Sequence, residues 1–128
     1  MPGAGRPRQP RRGPGPTAWR WRCRGGPRKR KAYYDSRLVA GSQLERPALI
    51  AGGVHAELRR LGMQLTRFTE EFRGARLPDP EEERALRLPR GVPVIRNIRT
   101  AYAADQPVEV LDTISHGEMV SHRFEIQL

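Results

Sequence analysis

The sequence has one cysteine, and its first 32 residues contain no acid at all. A lone Cys23 excludes an intrachain disulfide and fits a reducing compartment. No apolar run approaches the roughly 18–20 residues that a bilayer-spanning helix needs. The basic N-terminus lacks the apolar stretch of a secretory signal, and it is too rich in Pro and Gly for the amphipathic helix of a transit peptide. These absences read as a soluble, cytoplasmic chain with no membrane partner. Signatures of catalysis and nucleotide binding are missing too: there is no Walker loop, no G-x-G-x-x-G and no Ser/His/Asp order. The three histidines, His55, His116 and His122, have no metal-ligand spacing. No metal, cofactor or enzymatic activity is expected.

What is present is charge, unevenly distributed. The 128 residues carry 24 Lys+Arg against 14 Asp+Glu, a formal charge of +10. Residues 1–32 hold 11 of the basic residues together with 6 Pro and 6 Gly, which leaves 13 basic residues against 14 acids in residues 33–128. The whole excess therefore lies in the head. A segment so poor in aliphatic residues cannot bury enough apolar surface to offset its ordering entropy, so residues 1–32 read as a disordered head and residues 33–128 as the folded domain. One alternative makes the chain a small nucleic-acid-binding protein, with "GGPRKRK" on phosphates and Trp19 and Trp21 stacking on bases. Two others make the head a solvated tail, or the product of a wrong reading frame or misplaced start.

Beyond the head, "KAYYDSRLVAGS" (31–42) reads as a strand running into a turn at Gly41-Ser42. Val54, Leu58 and Leu61 form the apolar stripe of a short helix, with Gly62 just past its end. In "QLTRFTEEFRGARL" (64–77), alternation sets Phe68 and Phe72 on one strand face and Arg67, Thr69, Glu71 and Arg73 on the other. A second helix opens at Asp79 as N-cap, with Pro80 in its first position and acids in its first turn. Three strands follow, 92–102, 107–115 and 119–128, joined by connections short enough for antiparallel pairing. The expected architecture is α+β, β-α-β-α-β-β-β, an antiparallel sheet with helices on one face.

The hairpin "RNIRTAYAADQPVEVLDT" (96–113) places Arg99, Glu109 and Asp112 among apolar residues. If that sheet face is covered, these charges must pair or meet a polar ligand, because burying a lone charge is costly. If it is open, they form a solvated face with weak salt bridges.

Three blocks carry a resemblance to a known family: "AYYDSRLVAG", the run "RFTEEFRGARLPDPEEERALRLPRGVPVIRNIRTAY", and "QPVEVLDTISHGEMVSHRFEI". They are similar to the Y-Y strand, the E-x-x-x-A-R to R-x-x-Y run and the closing G-x-P-V-E hairpin of the UTRA domain. That domain is the effector-binding half of GntR transcription regulators of the HutC type. Two positions depart from the pattern: Asp35 stands where the family has Pro, and Gln106 where it has the turn Gly. The resemblance implies a chorismate lyase-like α+β fold, incomplete at its N-terminus, and commonly a homodimer. It also implies a small-molecule effector of the sugar-phosphate or amino-acid-derivative class. Operator DNA would be read only through a winged helix-turn-helix domain missing from this chain. The pocket residues it implies are Tyr33, Tyr34, Glu71, Arg99, Tyr102 and Glu109, to which Asp112 is added from its place on the hairpin. Arg99 would meet a ligand anion or hold Glu71 or Glu109.

Overall fold

The β-branched and aromatic runs of this chain pair into one antiparallel sheet, and the register of that sheet decides which side chains meet. The computed structural model describes residues 18–22, 28–46 and 50–128. Five strands, β1 (Ala18–Arg22), β2 (Arg28–Tyr34), β3 (Arg67–Arg76), β4 (Val94–Ala103) and β5 (Gln106–His116), lie in the order β1-β2-β5-β4-β3. Every pairing is antiparallel. β4 and β5 form the central hairpin, which turns at Ala104 with φ of 52°.

Two strands lie where the composition of the head argues for disorder. β1 falls wholly within residues 1–32, and β2 begins at Arg28, upstream of the expected boundary. Basic side chains do not prevent strand formation when β5 offers a complete ladder of partners, from Arg28↔Ser115 to Tyr33↔Val110. The side chains of Trp19 and Trp21, and Cys23, lie outside the described residues.

Among the described residues three short helices flank the sheet: α1 (Ser36–Val39), α2 (Val54–Arg60) and α3 (Pro80–Leu86), with a 3₁₀ turn at Gln43–Glu45. α1 follows β2 directly where the sequence suggests only a turn, because the Asp35 carboxylate accepts from the Arg37 backbone N–H and caps it. α2 ends as its sequence predicts. Gly62 takes φ of 86°; its N–H donates to the Arg59 carbonyl and the Met63 N–H to the Leu58 carbonyl, a Schellman closure that a left-handed glycine permits. α3 opens on a capping box in which Asp79 accepts from the Glu82 N–H at 2.8 Å and Glu82 accepts from the Asp79 N–H at 3.0 Å.

The helices occupy both faces of the sheet rather than one. Ala32 and Tyr34 of β2 pack with Val39, Leu44, Leu58, Met63 and Val108 in the apolar core, beneath α1 and α2. Lys29, of opposite parity on the same strand, points to the other face and pairs with Glu81 of α3. There α3 is held largely by charge. Arg76 makes two 2.7 Å bonds to the buried Glu82 carboxylate, and Leu86 supplies the apolar contact.

The final expected strand does not form. Residues 119–128 take no regular secondary structure, although Phe124, Ile126 and Leu128 alternate as a strand would require. β5 already has β2 and β4 on its two edges, so the segment after its turn finds no free edge beside it.

Two measurements check this packing. Leu58 is fully buried, and Leu58→Ala is expected to cost about 2–5 kcal/mol by urea denaturation. Hydrogen bonds from Arg76 hold the Glu82 carboxyl below its ordinary value of 4.5. A depressed carboxyl contributes stability above that value and loses it as pH falls through the folded-state pKa. Glu82→Gln keeps an oxygen for the capping box but loses the charge, so it should flatten the acid limb of the stability–pH curve.

Candidate functional site

Alternation along the strands sorts the charges of the sheet into two separate sets. Across the ladder, Arg30 opposes Thr113, Thr113 opposes Asn97, and Asn97 opposes Phe72. One row further along, Leu111 opposes Arg99 and Arg99 opposes Glu70. These residues share the face that also carries the core, and beside the core they line a half-open cavity of about 150 Å³. Arg28, Arg30 and Arg99 place three guanidiniums around it, against the single carboxylate of Glu70. Asn97, Thr113 and Leu111 form its floor, and His122 closes one side.

Each wall is fixed by an identifiable contact. Arg99 donates from Nε at 2.8 Å and from Nη2 at 2.7 Å to Glu70 Oε1, and its guanidinium lies 4.6 Å from the centre of the Phe68 ring. Glu70 is its partner rather than Glu71 because direct cross-strand neighbours share a face while Glu71 falls on the opposite one, and Glu109 is taken by Tyr34 instead. The His122 ring packs edge-on against Phe72 with centroids 4.6 Å apart. Asn97 and Thr113 are both buried, at 6% and 8% exposure. Among the described residues neither side chain takes part in the hydrogen bonds and ion pairs that fix its neighbours. Beside them Ser115 Oγ is buried without a partner. A buried hydroxyl in that position costs stability unless something satisfies it.

A second polar group lies on the same face, further along β5. The Tyr34 hydroxyl donates at 2.7 Å to the buried Glu109 carboxylate, and His55 of α2 reaches the other carboxylate oxygen at 3.7 Å. Glu109 does not line the cavity. It is committed to an internal bond that joins β2 to β5 beneath the helical layer.

The residues expected to form one pocket are thus divided. Tyr34, Arg99 and Glu109 lie on the cavity face. Tyr33, Glu71, Tyr102 and Asp112 lie on the opposite face, and period-two geometry prevents one ligand from touching both sets. Asp112 is held there by Arg96 through bonds of 3.0 and 2.6 Å, Glu71 pairs with the neighbouring Arg73 at 3.2 Å, and the Tyr102 ring receives Arg67 at 3.8 Å. The cavity residues that sequence reading missed are Arg28, Arg30, Glu70, Asn97, Leu111, Thr113 and His122. Counting by twos from Arg99 finds Asn97, but only the strand register brings in Thr113, Arg28 and Arg30.

Guanidiniums beside an amide and a hydroxyl suit recognition of an oxyanion that carries further polar groups. No cluster of three or more metal-ligating side chains occurs among the described residues, and no helix among them is long and apolar enough to cross a membrane.

The model of the UTRA domain family matches residues 30–121. The chain belongs to the UTRA domain family. Solved structures share its fold: a GntR-family transcriptional regulator with a TM-score of 0.70 at 20% identity, covering 79% of this chain and 44% of that one. PhnF from Mycobacterium smegmatis gives a TM-score of 0.66 at 20% identity, covering 78% and 44%. The C-terminal domain of the histidine utilization repressor from Pseudomonas syringae pv. tomato gives 0.57 at 21% identity, covering 79% and 67%. The chain thus spans less than half the length of the first two. No curated protein matches it.

The Tyr34–Glu109 bond yields a direct check. Tyr34→Phe leaves a buried carboxylate short of a donor and should cost about 1–3 kcal/mol. Tyr34→Phe combined with Glu109→Leu should recover part of that loss in the same urea titration. A single variant as stable as the parent chain would contradict the bond.

Proposed function

We propose that this chain is the effector-sensing part of a cytoplasmic GntR regulator of the HutC type, and that it takes a small anionic metabolite in the cavity formed by Arg28, Arg30, Asn97, Arg99, Thr113 and His122. The observation that carries this reading is the set of three arginines, Arg28, Arg30 and Arg99, that line one cavity with the Asn97 amide and the Thr113 hydroxyl. Three cations against one carboxylate favour a phosphate or carboxylate, which fits a sugar phosphate or an acidic amino-acid derivative. The polar floor serves hydroxyl or amide groups of the same molecule.

Control of DNA follows by linkage. A winged helix-turn-helix domain joined to this one would read the operator, and the effector would act by binding its two arrangements with different affinity. Arg28 and Arg30, the strongest basic stretch of the head, belong to a strand that faces the cavity. This weakens the alternative in which the head serves chiefly to bind nucleic acid.

The test is a thermal-shift screen of the chain against sugar phosphates and amino-acid derivatives. A ligand at a hundredfold excess over its Kd should add about 2.7 kcal/mol of stability. Arg99→Gln should weaken a hit by about ten- to a hundredfold, the range expected for a lost charge-assisted hydrogen bond. A panel with no shift, or a hit indifferent to Arg99→Gln, would overturn the proposal.

A further inference from the structure

β3 closes the sheet on one side and leaves its outer edge open. Before the irregularity at Phe72/Ala75, residues 67–72 run straight against β4, and no strand among the described residues pairs with them from outside. Exposed edges are usually blunted by charge or by bulges. β3 has both, yet it still exposes 59% of Phe68 and 36% of Phe72. The segment that fails to become a strand, 119–128, carries the matching alternation of Phe124, Ile126 and Leu128, all exposed.

The two elements already touch. Phe72 meets the ring of His122 at 4.6 Å and that of Phe124 at 5.7 Å, and His122 lines the cavity. β5 ends at His116, beside Val94 and hence near Arg76. A chain leaving β5 there and turning outward past β3 would run antiparallel to it. Residues 117–121, at roughly 3.3 Å each, span the roughly 14 Å occupied by three inter-strand spacings.

We propose that residues 122–127 form a strap that adds to the outer edge of β3 as a sixth strand when an anion occupies the cavity, with His122 as the residue that joins the two events. The inference rests on the anion-binding reading of the cavity. The register follows from the Phe72–His122 ring contact. With His122 opposite Phe72, Ile126 falls opposite Phe68, Arg123 opposite Glu71 and Gln127 opposite Arg67, and His122 stays on the cavity face. A slip of two residues toward the bulge would oppose Glu125 to Glu71 and Arg123 to Arg73, two like-charge pairs. A slip of one residue would turn His122 away from the cavity. An anion held by Arg28, Arg30 and Arg99 offers the imidazole N–H an acceptor, so occupancy favours the docked strap over the undocked one.

Disulfide trapping tests this on the full 128-residue chain. In a Cys23→Ser background, Thr69→Cys with Glu125→Cys places two thiols directly opposite, on the face away from the cavity. Thr69→Cys with Arg123→Cys is out of register. Oxidation should give an intrachain disulfide for the first pair only, because directly opposed strand positions meet the required Cα separation. Inorganic phosphate should speed it about fivefold or more, and His122→Ala in the same protein should remove that acceleration. Absence of the in-register disulfide, preference for the out-of-register pair, or disulfide-linked dimers in its place would overturn the strap. An unchanged rate with phosphate would also overturn it, and the melting temperature of the same samples shows how far the failure extends. A raised melting temperature without acceleration rejects the strap alone, and no rise rejects phosphate binding at the cavity with it.

Discussion

Everything functional in this domain depends on the two-residue period of the β4–β5 hairpin. With β4 and β5 in register, each charge is assigned to one of two faces that no side chain can cross. Arg99, Asn97 and Thr113 look toward the core and the cavity, while Arg96 and Asp112 look toward α3. The same backbone therefore serves two tasks without interference. One face gathers three arginines around a cavity and holds the Tyr34–Glu109 bond, and the other pairs Arg96 with Asp112 and Arg76 with Glu82.

The two faces are held by different forces. On the cavity face, Val39, Leu44, Leu58 and Val108 exclude water, and the buried Tyr34–Glu109 bond anchors the layer at one defined point. On the other face, α3 is secured by the Arg76–Glu82 and Lys29–Glu81 pairs. The apolar layer is indifferent to salt, whereas the charged one is sensitive to salt and acid.

Most of the fold was legible in the sequence because its signals are local. Asp79 with Pro80 marks the start of α3, Gly62 marks the end of α2, and alternation marks β3, β4 and β5. What misled was composition applied across an element boundary: the arginines and lysines of residues 28–31 look like part of a disordered head until β5 supplies their partners. Residues 119–128 show the reverse case, an alternating pattern whose neighbouring strand has no edge to offer. The candidate site was legible only in part. Arg99 stood out as a charge within an apolar run, but Thr113, Arg28 and Arg30 join it through pairing across 16 to 87 positions of chain, which no local pattern encodes. Tyr33, Glu71, Tyr102 and Asp112 belong to the same motifs as the cavity residues and differ from them only in parity.

Gly117 has a consequence for rates. Its N–H donates to the Pro93 carbonyl at 2.9 Å, and a Cβ there would stand 2.6 Å from that same oxygen. The chain is thus pinned where β5 ends, and everything beyond it swings from a fixed post. A tether of about ten residues explores its reach in roughly 10–100 ns, far faster than a tightly held metabolite leaves its site. The terminal segment can therefore sample its positions many times within one residence of a ligand, so its average placement reports occupancy as an equilibrium and sets no limit on how quickly the domain responds.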